Sequence, residues 1–234
     1  MSRQSRPRRV ALLGLIAALL ALAGCGSSSS GNGVASRPPT QILAAAVKAA
    51  KSAATVHVSG SMSDEGQPVS LDLELEAGKG GKGTIALHGL SVKLIQLNGA
   101  VYMNGSEAFY RHVAGSAAAQ LLRGKWLKAP ASDVNFASLV SLTDLDKLVG
   151  STLASHGALV AAGTSTVRGQ TVVGVTDESK GGTLYVATTG PAYPLEIAKS
   201  GSSGGTIVFE RWNKPVTLEA PVGAININQL KSAH

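Results

Sequence analysis

A serine in a glycine-rich run is the residue of this sequence with the strongest formal similarity to a catalytic group. Gly201-Ser202-Ser203-Gly204-Gly205 has the G-x-S-x-G spacing of a nucleophile elbow, in which a strained turn exposes a serine for acyl transfer. The elbow must lead from a strand into a helix, whereas this run lies between two predicted strands. A hydrolase would also need a converging histidine and acid, and no motif supplies them. The sequence therefore predicts a hairpin turn here and no enzymatic activity.

Dinucleotide and metal sites have equally weak support. Gly78, Gly80 and Gly83 have G-x-G-x-x-G spacing, but a predicted strand follows them instead of the helix whose N-terminal amides would bind phosphate. Asp144 and Asp146 are two residues apart on a predicted helix and point to different faces, so a cap at Thr143 or Asp144 is the simpler interpretation. The histidines are scattered without ligand spacing: His57, His88, His112, His156 and His234. We expect no metal and no cofactor.

The one cysteine, Cys25, follows a segment typical of export signals. Four arginines lie among residues 3–9, an apolar run of about 14 residues spans 10–23, and small residues precede the cysteine. The run is shorter than the ~20 residues that a membrane-spanning helix needs. We expect a signal peptide over residues 1–24, exported by the general secretory or the twin-arginine route. The alternative is an uncleaved membrane anchor in which Cys25 is an ordinary small residue.

Leu22-Ala23-Gly24-Cys25 resembles the lipobox of bacterial lipoproteins. The resemblance implies that the Cys25 thiol takes up a diacylglycerol through a thioether, which makes Cys25 an anchor and not a nucleophile. Residues 25–38 are rich in Gly and Ser and predict a flexible tether. Residues 39–234 then form one domain, large enough for a core of its own. We expect a protein anchored to the cell membrane by lipid and facing the extracytoplasmic side.

The charge balance gives no support to nucleic-acid binding. Four of the 21 Lys and Arg residues precede Cys25 and all 14 Asp and Glu residues follow it, which leaves 17 basic and 14 acidic side chains, a net charge of +3. No basic patch interleaved with aromatic residues occurs in the sequence. Aromatic residues make up only 4% of the chain, so apolar burial must rely on Ala, Val, Leu and Ile. Trp126 and Trp212 are expected in core or edge packing positions, and the alternative is that they line a cavity mouth or contact a membrane surface.

Hydrophobic periodicity predicts helices and strands in alternating blocks. Apolar residues at three- and four-residue spacing predict a helix over 41–54, capped by Thr40. An Ala-rich composition over 106–122 predicts a segment that is helical in part, and apolar residues at helical spacing over 136–153 predict a further helix, so that a helical insert interrupts the sheet. Residues 225–230 are interpreted as a short terminal turn of helix.

Strands are predicted on both sides of the helical insert. Alternation is clearest over 69–76, where Val and Leu alternate with Ser, Asp and Glu. Five strands before residue 104 should form a meander, with Asn98-Gly99 as a tight hairpin turn, and further strands fall between 158 and 218. The predicted fold class is α+β, with a long antiparallel sheet of about eleven strands that is apolar on one face. Such a sheet must curl, which predicts a half-open β-barrel whose concave face the helices cover.

Local phrases in a fixed order give a family resemblance. They are Asn98-Gly99-Ala100-Val101-Tyr102, Lys125-Trp126, Thr166-Val167-Arg168-Gly169-Gln170, Gly182-Thr183-Leu184-Tyr185-Val186, Gly190-Pro191-Ala192-Tyr193-Pro194-Leu195 and Phe209-Glu210-Arg211-Trp212-Asn213-Lys214-Pro215-Val216. Together with the lipobox, they resemble the LppX/LprAFG family of mycobacterial cell-envelope lipoproteins, which share the LolA/LolB-like fold. The resemblance covers most of the domain.

This resemblance implies a carrier whose cavity accepts the acyl chains of a lipid or glycolipid during envelope transport. Its partners would be that ligand, the membrane through acylated Cys25, and an envelope lipid transporter. Each buried CH₂ contributes about 0.8 kcal/mol, so long chains bind without catalytic groups. The residues expected to line the cavity are apolar positions of strands and inserted helices: Leu71, Leu73, Leu75, Ile85, Leu87, Val101, Leu139, Leu145 and Leu148. The alternative for each is packing in a dry core.

A second function fits the same fold. A LolA-like regulatory or sensory domain would bind another envelope protein instead of a lipid. That hypothesis predicts an apolar patch at the surface and little ligand in the purified protein.

Overall fold

The computed structural model describes residues 31–231. The helices are α1 Pro39–Lys51, α2 Glu107–Leu122, α3 Ala137–Leu142, α4 Leu145–Ala154 and α5 Ile227–Lys231. The strands are β1 Thr55–Asp64, β2 Gln67–Glu76, β3 Gly80–Leu87, β4 Leu90–Leu97, β5 Ala100–Gly105, β6 Leu127–Pro130, β7 Leu159–Val167, β8 Gln170–Asp177, β9 Gly182–Ala187, β10 Pro194–Lys199, β11 Gly205–Glu210 and β12 Ile225–Asn226. None of the helices in this range combines the length and apolar character that crossing a membrane requires.

All twelve strands lie in one sheet, in the order β12-β6-β5-β4-β3-β2-β1-β11-β10-β9-β8-β7. Neighbours are antiparallel except β12 and β6, which are parallel. The α+β class, the long antiparallel sheet and the meander β1–β5 are therefore confirmed. β7 and β12 stand at the two edges, so the sheet is open, and a curled sheet fits this order without closure into a barrel.

Three features differ from the sequence predictions. Residues 216–218, predicted as a strand, lie outside regular structure, while the segment predicted as a terminal helical turn begins with β12. Helix α1 begins at Pro39, with Pro38 as its N-cap residue, so Thr40 lies inside the first turn and the predicted cap is wrong. Proline suits this first position because its φ is already helical and the N–H it lacks would have no helical partner.

One face of the sheet, which we call the inner face, is apolar across almost the whole width. Cross-strand partners on this face form a continuous row from β11 to β6: Phe209, Val58, Leu73, Gly83, Leu94, Met103 and Leu127. Helices α1 and α4 pack on this face over β1, β2 and β8–β11, and form the main core with it. Helices α2 and α3 pack over β4–β6 in a second cluster. The helices thus cover the apolar side, as the sequence predicts.

Side-chain caps set where the inserted helices begin. Ser106 Oγ accepts a hydrogen bond from the backbone N–H of Phe109 at 3.1 Å, and Asp144 Oδ1 accepts one from Lys147 at 3.0 Å. The second bond confirms Asp144 as a helix cap. Gly115, with φ 82° and ψ 172°, divides α2 into two helical pieces.

Gly81 of β3 allows the turn between α3 and α4 to approach the sheet closely. A Cβ atom at Gly81 would lie 2.5 Å from Leu75 Cδ2 and 3.1 Å from the carbonyl oxygen of Thr143. The buried Thr143 hydroxyl is hydrogen-bonded to Gln96 Oε1, also on the inner face, at 2.6 Å. These contacts hold the start of α4 against the sheet.

We expect Gly81→Ala to lower the free energy of unfolding by about 1–3 kcal/mol, because the added methyl group overpacks this contact. The matched control is Gly150→Ala inside α4, where a Cβ would meet no atom within 4 Å. That variant should be as stable as the parent or more stable by up to ~1 kcal/mol. Urea denaturation of residues 26–234 measures both, and equal stability of the two variants would contradict this role of Gly81.

Candidate functional site

An apolar pocket of about 290 Å³ opens on the inner face beyond the C-terminal end of α4. Its floor is a cross-strand row of four apolar partners: Ile207 of β11, Ile197 of β10, Leu184 of β9 and Val175 of β8. Leu43 of α1 and Leu153 of α4 also line it. The pocket exists because period-two alternation points all four strands' apolar side chains the same way, at a place where α4 ends.

The mouth of the pocket lies at one end of the strands. The mouth is lined by Met62 of β1, Lys199 of β10 and Gly182 of β9. These residues lie in one cross-strand row, in which Gly205 of β11 stands between Met62 and Lys199. Met62 is 39% exposed although it is apolar. An apolar mouth of this kind favours a ligand with an apolar part, because that part is transferred from water into the pocket.

Charged groups surround one side of this mouth. Lys180 Nζ donates to the carbonyl oxygen of Ser155 at 2.6 Å and to its hydroxyl at 2.7 Å. Lys199 and His156 line the same rim. The rim carries two lysines, Lys180 and Lys199, and one carboxylate, Asp177. Its net charge is therefore positive, which favours an anionic group of a ligand there.

Asp177 ties together the two segments that form this rim. Its Oδ1 accepts from the backbone N–H groups of Ser179 at 2.9 Å and Lys180 at 3.1 Å, and its Oδ2 accepts from Gly157 at 3.2 Å. Burial acts to raise the pKa of the Asp177 carboxyl, but these three N–H groups and the Lys180 ammonium outweigh it and hold the pKa below its ordinary value. Asp177 therefore joins the segment after α4 to the turn after β8.

The residues predicted to line a cavity fall into three groups, none of them among those lining this pocket. Leu73, Leu75, Leu145 and Leu148 are buried in the main core, Leu139 packs against the second cluster, and Val101 is buried on β5. Leu71 and Ile85 are half-buried against the main core. Leu87, at the end of β3, is 44% exposed.

Leu71, Ile85 and Leu87 nevertheless lie beside the pocket mouth on the inner face. Val69 joins Met62 to Leu87 in one cross-strand row, and Leu71 pairs with Ile85 in the next. They form a half-exposed apolar stripe, which we call the β2–β3 stripe, that continues from the mouth of the pocket.

The lining residues of the pocket were missed in the sequence, although the signal that would find them is present. Residues 173–176 read Val-Gly-Val-Thr, a shorter and weaker alternation than that of residues 69–76, and this parity places Val173 and Val175 on one face, which is the inner face. Parity does not show where the helices leave a space over this face, as they do next to Val175, which is only 3% exposed but lines the pocket.

Three of the residues considered for catalysis, dinucleotide binding or metal binding lie in turns or on the outer face of the sheet. Ser203 is exposed in the turn between β10 and β11, and Gly78 lies in the turn before β3, as predicted. His57 lies on the outer face between Asp72 Oδ1 at 2.9 Å and Glu210 Oε1 at 3.1 Å. Within residues 31–231, no group of three or more His, Cys, Asp and Glu side chains could hold a metal ion. Cys25 lies outside the described residues.

Comparison with solved structures identifies the fold. LprF from Mycobacterium bovis is similar with a TM-score of 0.55 and 18% identity, over 79% of this chain and 97% of LprF. The lipoprotein LppX from Mycobacterium tuberculosis follows with a TM-score of 0.48 and 19% identity, over 77% of this chain and 99% of LppX. No protein-family model and no curated protein matches the chain. The likeness to LprF confirms the fold that the sequence resemblance implied.

The tie through Asp177 predicts a pH dependence. A carboxyl whose pKa is depressed in the folded state stabilises that state above its unfolded pKa of about 3.9, and loses this contribution as pH falls through the folded value. Asp177→Asn should therefore lower Tm at pH 7, and the difference from the parent should shrink below pH ~4. Asp146→Asn, an exposed carboxylate on α4, is the control. Thermal melts over this pH range test this, and a Tm difference that persists unchanged into acid would contradict the assignment.

Proposed function

We propose that this protein is a lipid-anchored, extracytoplasmic lipid-binding protein of the envelope, and that the inner-face pocket holds an acyl chain of its ligand. The observation that carries the proposal is the pocket of about 290 Å³ at the C-terminal end of α4, whose floor is the apolar row Ile207, Ile197, Leu184 and Val175. Val175, Leu184 and Ile207 belong to the main core and are only 3–9% exposed, yet together with Leu43 of α1 and Leu153 of α4 they line a space that no side chain fills. Binding and carriage need no catalytic group.

The size of the pocket limits the ligand. A volume of about 290 Å³ lies at the lower end of the range for small-molecule sites. We infer that the pocket as it stands accepts one acyl chain and not the several chains of a triacylated lipid. Since each buried CH₂ contributes about 0.8 kcal/mol, eight methylene groups would contribute roughly 6 kcal/mol before the cost of ordering the chain.

The β2–β3 stripe is the place where a ligand with more chains would extend. Leu71, Ile85 and Leu87 are half-buried or exposed, and they adjoin Met62 at the mouth. A second chain lying along them would shield apolar surface that water now contacts. The remaining six predicted lining residues would line a cavity only if α4 or α3 moved away from the sheet, and they stay a prediction.

The charge of the rim points to the headgroup. Lys180 and Lys199 stand where the chain would leave the pocket, so an acidic headgroup could pair with their ammonium groups. We therefore propose an anionic amphiphile, such as a fatty acid or an acidic lipid, as the preferred ligand class. Replacing Lys199 by Gln should then weaken binding of a fatty acid more than binding of its methyl ester.

A partner protein is the second candidate, and the edge strand β7 favours it. Residues 160–166 of β7 are exposed, and one side of the strand has no neighbour in the sheet. An extended peptide could pair there as an added strand. The bulge between Ala161 and Gly163 shortens the straight edge and reduces this tendency. We therefore rank it below lipid binding.

Filling the mouth of the pocket tests the proposed site. We expect Met62→Trp to weaken binding of cis-parinaric acid, a fluorescent fatty acid, about tenfold or more, which corresponds to ~1.4 kcal/mol. The matched control is Val160→Trp, since Val160 is 37% exposed, close to the 39% of Met62, but lies on the outer face of β7.

Comparison of Met62→Trp with Val160→Trp shows whether the fatty acid binds at this pocket mouth. Equal affinity in Met62→Trp and the parent would exclude this mouth as the site. Native mass spectrometry of the protein from a host that makes its own lipids adds an independent readout. A persistent apo mass there, with no binding of the fatty acid, would remove the lipid proposal and put the β7 edge first.

The proposed anchor has its own test. In the full chain, Cys25→Ser should move the protein from the membrane fraction to the soluble extracytoplasmic fraction, and the parent should carry the mass of a diacylglycerol on Cys25. Ser27→Ala is the control for substitution near the cleavage position and should stay in the membrane fraction. If Cys25→Ser stays in the membrane at full length, the segment before it is an uncleaved anchor instead.

A further inference from the structure

We propose that the end of the domain nearest to Cys25 docks onto an anionic lipid bilayer. The docking surface, which we call the basic-aromatic face, consists of Arg168, Arg211 and Lys214 around the stacked rings of Tyr193 and Trp212. This inference rests on the proposed anchoring through Cys25. It adds a defined orientation of the domain, which a lipid anchor does not by itself provide.

The first support is the point where the chain joins the domain. The backbone N–H of Asn32 donates to the carbonyl oxygen of Thr188 at 2.7 Å, and its side-chain amide donates to Ala187 at 2.9 Å and Gly190 at 3.0 Å. Val34, two residues later, is fully buried in the main core. The chain is therefore fixed to the connection between β9 and β10 from Asn32 onward.

The second support is the short distance that the remaining tether can reach. Five residues lie between Cys25 and Gly31, so that even in a fully extended chain these two residues are at most about 20 Å apart. A domain of this size has a diameter of roughly 40 Å. The residues around Asn32 must therefore stay near the bilayer whenever Cys25 is anchored in it.

The third support is that the basic-aromatic face adjoins this attachment point. Ala187, which accepts the hydrogen bond from Asn32, also lines a shallow pocket of about 320 Å³ on the same surface, together with Arg168, Tyr193 and Lys214. The rings of Tyr193 and Trp212 are nearly parallel, with centroids 4.5 Å apart. Tyrosine and tryptophan are enriched at the membrane–water interface because their rings are apolar and their edges polar.

The charges on this face are arranged with the cations outermost. Arg168 pairs with Glu210, and Arg211 pairs with Glu74. The two arginine side chains are 54% and 51% exposed, whereas the two glutamates are 34% and 22% exposed. The side chain of Lys214 is exposed and has no ion pair among the described residues. A bilayer approaching this face meets positive charge first, which anionic lipids attract.

Docking in this way sets the direction of the pocket. Gln170, Ala187 and Glu210, near the basic-aromatic face, lie at one end of their strands, while Gly182, Lys199 and Met62 at the pocket mouth lie at the other. The mouth therefore opens away from the bilayer that holds the anchor.

Fluorescence quenching of Trp212 tests the proposal. The full chain with Trp126→Phe keeps Trp212 as its one tryptophan and is reconstituted into vesicles of brominated phosphatidylcholine, with or without phosphatidylglycerol. We expect quenching with phosphatidylglycerol at physiological ionic strength and its loss at 1 M salt, where charges are screened. Arg168→Glu with Lys214→Glu should lower the ratio of quenched to unquenched protein at least tenfold, since each basic side chain near an anionic surface contributes about fivefold to an equilibrium constant.

The control carries the same charge change elsewhere. Lys93→Glu with Lys125→Glu changes two exposed lysines outside the basic-aromatic face and should leave the quenching unchanged. Flotation of the vesicles in a density gradient measures whether the protein is anchored. If the protein floats with the vesicles but Trp212 is not quenched, the docking proposal is wrong and the anchoring proposal stands. The same conclusion follows if both double variants lose quenching equally. If the parent does not float with the vesicles, the anchoring proposal itself has failed. Fatty-acid binding by both double variants confirms that they are folded.

Discussion

The need to shield one apolar face of a twelve-stranded sheet from water determines most of this structure. Burial of that face provides the main driving force for folding, at roughly 25 cal/mol for each Å² removed from water. Helices α1 and α4 shield it over β1, β2 and β8–β11, and α2 and α3 shield it over β4–β6. The helices are short relative to the strands, so the face is left partly uncovered at one strand end. The pocket and the β2–β3 stripe both lie there.

The outer face of the sheet is exposed to water and carries charged side chains, which help to keep the strands in register. His57 contacts Asp72 and Glu210, while Glu74 contacts Lys82 and Arg211 across neighbouring strands. Partly exposed charged and polar contacts of this kind contribute little to the free energy of unfolding. Their effect is to make a slip of one residue costly, because a slip would bring these charges to the inner face and the apolar row to water. A stable register is what keeps the pocket floor continuous over four strands.

The sequence predicts the faces of the sheet well and the position of the pocket poorly, for one physical reason. Period-two alternation assigns Leu73 and Leu75 to the inner face, and both are fully buried there. The same rule assigns Leu87 to that face, yet it is 44% exposed because it lies at the strand end beyond the helices. Which apolar positions line the pocket depends on where α4 lies over the sheet, and the contacts of Thr143 with Gly81 and Gln96 hold the start of α4 there. Alternation in the sequence carries no information on those contacts.

The two ends of the strands carry different groups of side chains. Asn32 fixes the chain at the end where β8 begins and β11 terminates, and the basic side chains Arg168 and Lys214 are found there. The pocket mouth, with Met62 and Lys199, is at the end where β8 and β10 terminate. In a protein anchored through Cys25, a ligand in this pocket would face a partner or membrane across the envelope from the anchor. Loading from the anchoring bilayer would then require the domain to tilt or leave its docked position, so the strength of docking would control the exchange of the ligand.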